Sequence, residues 1–265
     1  MLEKIINQVI EVAKQAGAFI REERLKFDPD KIEYKGLNDL VSYVDKTAES
    51  MIVKGLEVIL PEAGFLTEEK TLNRKGERYN WIVDPLDGTT NFIHGVPVFA
   101  VSIALTDNNE PVAGVVYEVN QDECFYGWKD GGAYLNGKKI NVSKAPKIAD
   151  TLLATGFPYY DFKRQGPYIE LFTELMQSCH GLRRLGAASV DLAYTACGRF
   201  DGYYEYNLKP WDIAAGVIIV REAGGDVTDF NGGQNPLGDL TSCDVVATNG
   251  RVTTELLNTI QKYFQ

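Results

Sequence analysis

The chain has 265 residues, with 27 Lys and Arg against 37 Asp and Glu, for a formal charge of −10. With 45% hydrophobic and 24% charged residues it can bury a large core, which argues against disorder. Its acidity, with no Lys- or Arg-rich run, argues against direct nucleic-acid binding, which needs a basic face to displace counterions from phosphates.

The predicted elements run as follows. Leu2, Ile5, Ile6, Val9, Ile10, Val12, Ala13, Ala16 and Ile20 form one helical stripe. Polar residues interleave it, so it lacks the continuous apolar core of a signal peptide. Lys26–Asp39 is polar and turn-rich and predicts a loop. A second helix covers Asp45–Leu60 and stops at Pro61. Trp81-Ile82-Val83 predicts a buried strand, and Val98–Leu105 with Val112–Val119 a hairpin turning at Asp107-Asn108-Asn109. Phe125–Trp128 and Ala133–Leu135 extend that sheet.

The second half alternates more regularly. Strands are predicted at Leu152–Thr155, Gly202–Tyr206 and Val245–Thr248. Helices are predicted at Pro167–Gln177, Ala188–Cys197, Trp211–Ala223 and Val252–Tyr263. Such mixing implies a layered α/β or α+β fold. No segment approaches the roughly 20 apolar residues of a membrane span. Cys124, Cys179, Cys197 and Cys243 are scattered without a C-x-x-C pair. They read as buried thiols of a cytoplasmic protein, neither a zinc site nor a disulfide framework. With His94 and His180 the only histidines, a histidine-cluster mechanism has nothing to use. Both read as surface or structural residues.

Chemistry concentrates in three segments. In Trp81-Ile-Val-Asp84-Pro-Leu-Asp87-Gly88-Thr89-Thr90-Asn91-Phe92, a strand ends in one aspartate and a second follows three residues later. Gly88, Thr89 and Thr90 then offer backbone N–H groups in a turn. Carboxylates to grip a hard cation and amides to take an anion suit a metal beside a phosphate. Asp87-Gly88-Thr89 also matches half of the Asp-x-Asp-Gly-Thr motif of aspartyl-nucleophile phosphatases. The nucleophile position there is Pro85, so that mechanism fails. Phe65-Leu66-Thr67-Glu68-Glu69 and Lys209-Pro210-Trp211-Asp212-Ile-Ala-Ala-Gly216 add acids at the end of an apolar run and in the first turn of a helix.

In order, spacing and flanks the three segments together resemble the inositol monophosphatase family of magnesium-dependent phosphatases, over almost the whole chain. The resemblance implies a layered α-β-α-β-α sandwich, the sugar-phosphatase fold shared with fructose-1,6-bisphosphatase. It implies one phosphatase domain of two tightly packed halves. Residues 1–145 or so would carry most metal ligands, and residues 146–265 the substrate side and the third metal's ligand. Two or three Mg2+ ions per subunit, a homodimer, lithium sensitivity and a small phosphate-ester substrate are implied with it.

Residue by residue, the resemblance makes Glu68 a metal-binding and catalytic glutamate, with Glu69 beside it in a less direct role. Asp84 would bridge two metals, Leu86 would lend its carbonyl, and Asp87 and Asp212 would hold the second and third sites. Asp45 would pair with Thr89 to activate water. The Gly88 and Thr89 amides would bind phosphate, with Leu86, Asp87 and Asp212 bordering it. Gly186, Ala187, Ala188, Glu205 and Arg183 would line the substrate side, and Lys35 would lie on the loop that closes the site.

Lys209 stands where many animal members have histidine, and Gly156-Phe157-Pro158 lacks a serine that some members use. Tyr159, Tyr160, Tyr203, Tyr204 and Tyr206 read as packing residues, not as a stacking surface. Thr90-Asn91-Phe92 resembles the inositol branch more than the nucleotide branch, and fructose-1,6-bisphosphatase, histidinol-phosphate phosphatase and 3′-phosphoadenosine-5′-phosphate phosphatase are the competing readings within the family. A transcription-associated protein-binding role, seen in some bacterial relatives, is the reading of a different class.

Overall fold

The computed structural model describes residues 1–27, 33–36, 39–41, 43–72, 74–157, 162–238, 240–241 and 243–264, with backbone alone over 33–36 and 39–41. Helix α1 (Leu2–Lys26) buries the predicted stripe from Ile5 to Ile20. The segment expected to be a loop holds a two-stranded hairpin, β1 (Glu33–Gly36) and β2 (Asp39–Val41), packed near the next helix α2 (Tyr43–Ile59). Its strands are three and four residues long and pair only with each other. The polar sequence therefore carries no burial pattern to announce them.

A seven-stranded sheet follows, in the order β3 (Gly64–Thr67), β4 (Tyr79–Asp87), β5 (Ala100–Asp107), β6 (Glu110–Glu118), β7 (Glu123–Trp128), β8 (Gly132–Leu135), β9 (Lys138–Ile140). Only β3 and β4 run parallel. Asn108 and Asn109, both at positive φ, close the β5–β6 hairpin. Asn tolerates the left-handed region that a two-residue turn demands.

The second sheet has five strands in the order β11 (Gly181–Arg183), β10 (Leu152–Thr155), β12 (Gly202–Leu208), β14 (Cys243–Thr248), β13 (Asp226–Thr228). Side chains alternate between layers with period two. Val101, Ile103 and Leu105 pack under α1 and α2, whereas Ala100 and Ala104 face the helices α5 (Ala188–Ala196) and α6 (Pro210–Glu222) between the sheets. Val245 and Ala247 face the same middle layer. Tyr204, Tyr206 and Val246 face the outer helices α4 (Gln165–Ser178) and α7 (Thr253–Gln261).

Lying between two sheets, α6 is buried from Ile213 to Val220 and is apolar on every side. Gly114 on β6 lets it approach, since a Cβ there would lie 2.7 Å from the Ala215 carbonyl oxygen. The result is the α-β-α-β-α layering that the family resemblance implies. Tyr203, Tyr204 and Tyr206 are core residues, while Pro158, Tyr159 and Tyr160 lie outside the described residues. All four cysteines are free thiols. Among the described residues no helix is long and apolar enough to cross a membrane.

Candidate active site

Strand pairing gathers the acids. Parallel register sets Thr67 beside Val83, so Glu68 leaves β3 where Asp84 stands on β4, and the Glu68 amide donates to the Val83 carbonyl at 3.2 Å. Pairing with β5 is irregular between Asp84 and Asp87. Pro85, with no N–H to give, falls in that bulge. The bulge brings Asp84 and Asp87 to the strand end together, and the Leu86 amide closes on Asp84 Oδ1 at 2.9 Å.

Ser102, the β5 partner of Asp84, donates its hydroxyl to the Trp211 carbonyl at 3.2 Å, which seats the start of α6 here. Asp212 follows in the first turn, where its Oδ2 accepts the Lys209 amide at 2.6 Å. Next to Asp87, Gly88 takes φ 90° and opens the short helix α3 (Thr89–His94). The Thr89 hydroxyl then reaches Asp45 Oδ1 on α2 at 3.0 Å and the Leu86 carbonyl at 2.9 Å.

The electrostatics are those of crowded acids out of water. Asp84 is 2% exposed, and burial followed by repulsion from Glu68, Asp87 and Asp212 holds it well above the ordinary carboxylate range. Burial pushes Asp87 up to about 6, although Ser189, the Ala188 amide and the Arg184 charge pull the other way. Asp212 keeps an open edge, yet burial and Asp87 hold it well above its usual value against the pull of Lys209. Glu205 on β12 is pushed up to about 7 by burial, with the Tyr203 hydroxyl donating to it and tempering the rise.

The protein matches the inositol monophosphatase family model over residues 1–264. The chain belongs to the inositol monophosphatase family. It is 39% identical to an inositol-1-monophosphatase of Mesorhizobium japonicum, over 97% of this chain and 96% of that one. It is 40% identical to the Nus factor SuhB of Escherichia coli K12, over 97% and 95% of the two. Among solved structures, suhB from Bartonella henselae superposes with a TM-score of 0.90 at 38% identity, covering 98% of this chain and 99% of that one. An Anabaena inositol monophosphatase gives 0.86 at 34% identity, with 99% and 97% covered.

Inositol monophosphatases are generally metal-dependent, and the acids here suit a hard cation. Among the described residues no three His, Cys, Asp or Glu side chains are gathered tightly enough to hold a metal ion as they stand. Asp84 is held high first by burial and then by the charges of Glu68, Asp87 and Asp212, and a hard cation would relieve that crowding.

The other anticipated residues are placed as follows. Gly186 takes φ 88°, and the buried Ala187 and Ala188 lead into α5 beside Asp87. Arg183 is exposed, its guanidinium donating to the neighbouring Leu182 carbonyl at 3.0 Å. Arg184 instead lies across the Phe157 ring, 5.4 Å from its centroid, with its charge felt at Asp87, Asp191 and Glu205. Glu69 is half-buried, and Lys35 falls on β1, where only backbone is described. His94 and His180 are exposed.

Ser189 and Asp191 were not singled out from sequence, and Asn91 was read only as a marker of the substrate branch. Ser189 donates to Asp87 Oδ2 through its amide at 2.7 Å and also through its hydroxyl, joining the two halves of the chain. Asn91 donates to the Val98 and Leu185 carbonyls at 2.8 and 2.9 Å, clamping the loop before α5 to α3. Asp191, 1% exposed with Oδ1 unpartnered, is held well above its usual range by burial and by Glu205. A signal for Asp191 existed: an acid inside the apolar run Ala188–Ala193.

Proposed function

We propose that the chain is a magnesium-dependent phosphomonoesterase that hydrolyses myo-inositol monophosphate, or a close polyol phosphate, to the free polyol and phosphate by direct attack of water. The observation that carries this reading is Asp84, buried among Glu68, Asp87 and Asp212 and repelled by all three. In this reading Glu68, Asp84, Asp87, Asp212 and the Leu86 carbonyl hold two or three Mg2+ ions. Bound divalent cations supply positive charge to the phosphate and the departing oxygen, and they acidify water.

The protein supplies the rest. The Gly88 and Thr89 amides orient the phosphate. The Thr89 hydroxyl, donating to Asp45, keeps its lone pairs for the attacking water, and Asp45 receives the proton through it. A Leu86 carbonyl engaged as a ligand leaves Asp45 as the acceptor for that single hydroxyl proton. Glu205 accepts hydrogen bonds from polyol hydroxyls, and Arg184, not Arg183, takes the substrate-side place. The Ala188 amide is spent on Asp87, so Gly186 and Ala187 are left to border the polyol.

Initial rates on inositol, fructose, histidinol and nucleotide phosphates, with Mg2+ and with EDTA, test the proposal. The highest kcat/KM should fall on inositol monophosphate, and EDTA should abolish every activity. A preference for another ester would move the substrate, and turnover in EDTA would refute the metal role. Relatives named as Nus factors support a second, transcription-associated role beside catalysis. Pull-downs with the wild-type and Asp87→Asn proteins would separate the two, since a binding role should survive loss of turnover.

A further inference from the structure

Glu49 lies on α2, one turn beyond Asp45, and is wholly buried at 0% exposure. Its carboxylate accepts the Thr67 hydroxyl at 2.9 Å and the amides of Glu69 and Thr71, each at 2.7 Å. These donors bracket Glu68 in the chain. From the geometry we infer that Glu49 is a positioning residue for the Glu68 carboxylate: it fixes the backbone on both sides of that side chain and so pre-forms the cation site. The inference rests on the metal-binding reading of Glu68.

The chemistry calls for a carboxylate at this point. Three donors converge, and an ionised carboxylate is acceptor-only, whereas Gln would turn an N–H toward them. A neutral cap on a surface loop would need no buried charge, and burying one is costly unless it is fully hydrogen-bonded. Lys70, at φ 58°, shows how sharply the chain turns inside the bonded stretch. Asp45 and Glu49 stand at i and i+4, where like charges repel, yet both are buried on the face that α2 turns to the site. One helix thus serves both the water-activating pair and the Glu68 loop.

Three measurements on the full-length protein test this: Mn2+ binding by electron paramagnetic resonance, the Mg2+ concentration for half-maximal activity, and amide exchange at Glu69 and Thr71 in EDTA. Glu49→Gln should weaken Mn2+ binding at least tenfold and raise the half-activating Mg2+ by a similar factor. Its kcat at saturating Mg2+ should stay within about threefold of wild type, the split expected of ligand positioning. Both amides should lose protection. Thr67→Val, which keeps the shape and removes one donor, should give a smaller loss of the same kind and decides the matter if Glu49→Gln does not fold. Unchanged Mn2+ affinity in either folded variant, or a fall in kcat with unchanged Mg2+ dependence, would overturn the inference. A wild-type protein that binds no Mn2+ would instead overturn the metal reading itself, and the inference with it.

Discussion

The carboxylate of Glu205 occupies the space that a side chain at Gly156 would need. A Cβ added to Gly156 would lie 1.9 Å from Glu205 Cδ and Oε2 and 2.0 Å from Oε1. Gly156 is not among the residues at positive φ, so alanine strains no backbone there and acts by displacing Glu205. If Glu205 reads polyol hydroxyls, Gly156→Ala and Glu205→Gln should each cost roughly 1–3 kcal/mol in kcat/KM on inositol monophosphate, the scale of a charged hydrogen bond. Hydrolysis of p-nitrophenyl phosphate, which has no such hydroxyls, should change far less. Equal losses on both substrates would mean that Glu205 serves the metals or the fold.

The raised acids also predict an inverted pH dependence of stability in EDTA. Asp87 at about 6 and Glu205 at about 7 lie above the ordinary Asp and Glu values. The folded protein therefore binds more protons than the unfolded chain between about pH 4 and 7, and stability falls as pH rises through that window. In EDTA, Tm should climb as pH is lowered from about 8 to 5. Added Mg2+ favours the ionised acids, so its stabilisation should be largest at the alkaline end. Differential scanning fluorimetry across pH, with and without Mg2+, measures both trends, and an EDTA profile that rises with pH would contradict the reading.

Asp87→Asn separates function from stability. The amide keeps one oxygen for the Ser189 and Ala188 donors and removes a charge crowding Asp84 and Asp212. Metal-free Tm should therefore hold or rise, while kcat drops by roughly two to four decades as a metal ligand is weakened. Near-normal turnover at saturating Mg2+ would remove Asp87 from the ligand set.

How far the sequence showed this depends on the range of each interaction. The long helices and the β5–β6 hairpin were legible because periodicity and an Asn-Asn turn are local signals. The layer order followed once the family resemblance was drawn. The β1–β2 hairpin was missed because its strands are three and four residues long, in a polar, turn-rich stretch with no alternating apolar pattern to read. Asp84, Asp87 and Asp212 stood out because they sit at strand ends and helix starts, where turn chemistry marks them. Glu49 lies inside α2 and Ser189 in the first turn of α5, and nothing local names the partner of either. Their partners are up to 102 residues away, and only the folded chain brings the two together.

The Asp45–Thr89 pair offers the sharpest test of how water is activated. A hydroxyl has one proton, and Thr89 Oγ1 has two acceptors within reach, Asp45 Oδ1 at 3.0 Å and the Leu86 carbonyl at 2.9 Å. If the proton goes to Asp45 during turnover, the two side chains act as one unit. Removing either then removes the whole effect. Thr89→Val, nearly isosteric, and Asp45→Asn should each lower kcat by about two to four decades, the usual worth of general-base assistance. The double variant should be no slower than the slower single, and Thr89→Ser should recover most of the rate. Multiplicative losses in the double variant would show that the residues act independently, and the relay would have to be abandoned. The same preparations address the nucleophile. Pro85 fills the position that an aspartyl nucleophile would need, so acid-quenched wild-type enzyme turning over 32P-labelled substrate should carry no stoichiometric protein-bound label. Label at that level, lost in Asp45→Asn, would make Asp45 a nucleophile and Thr89 merely its neighbour.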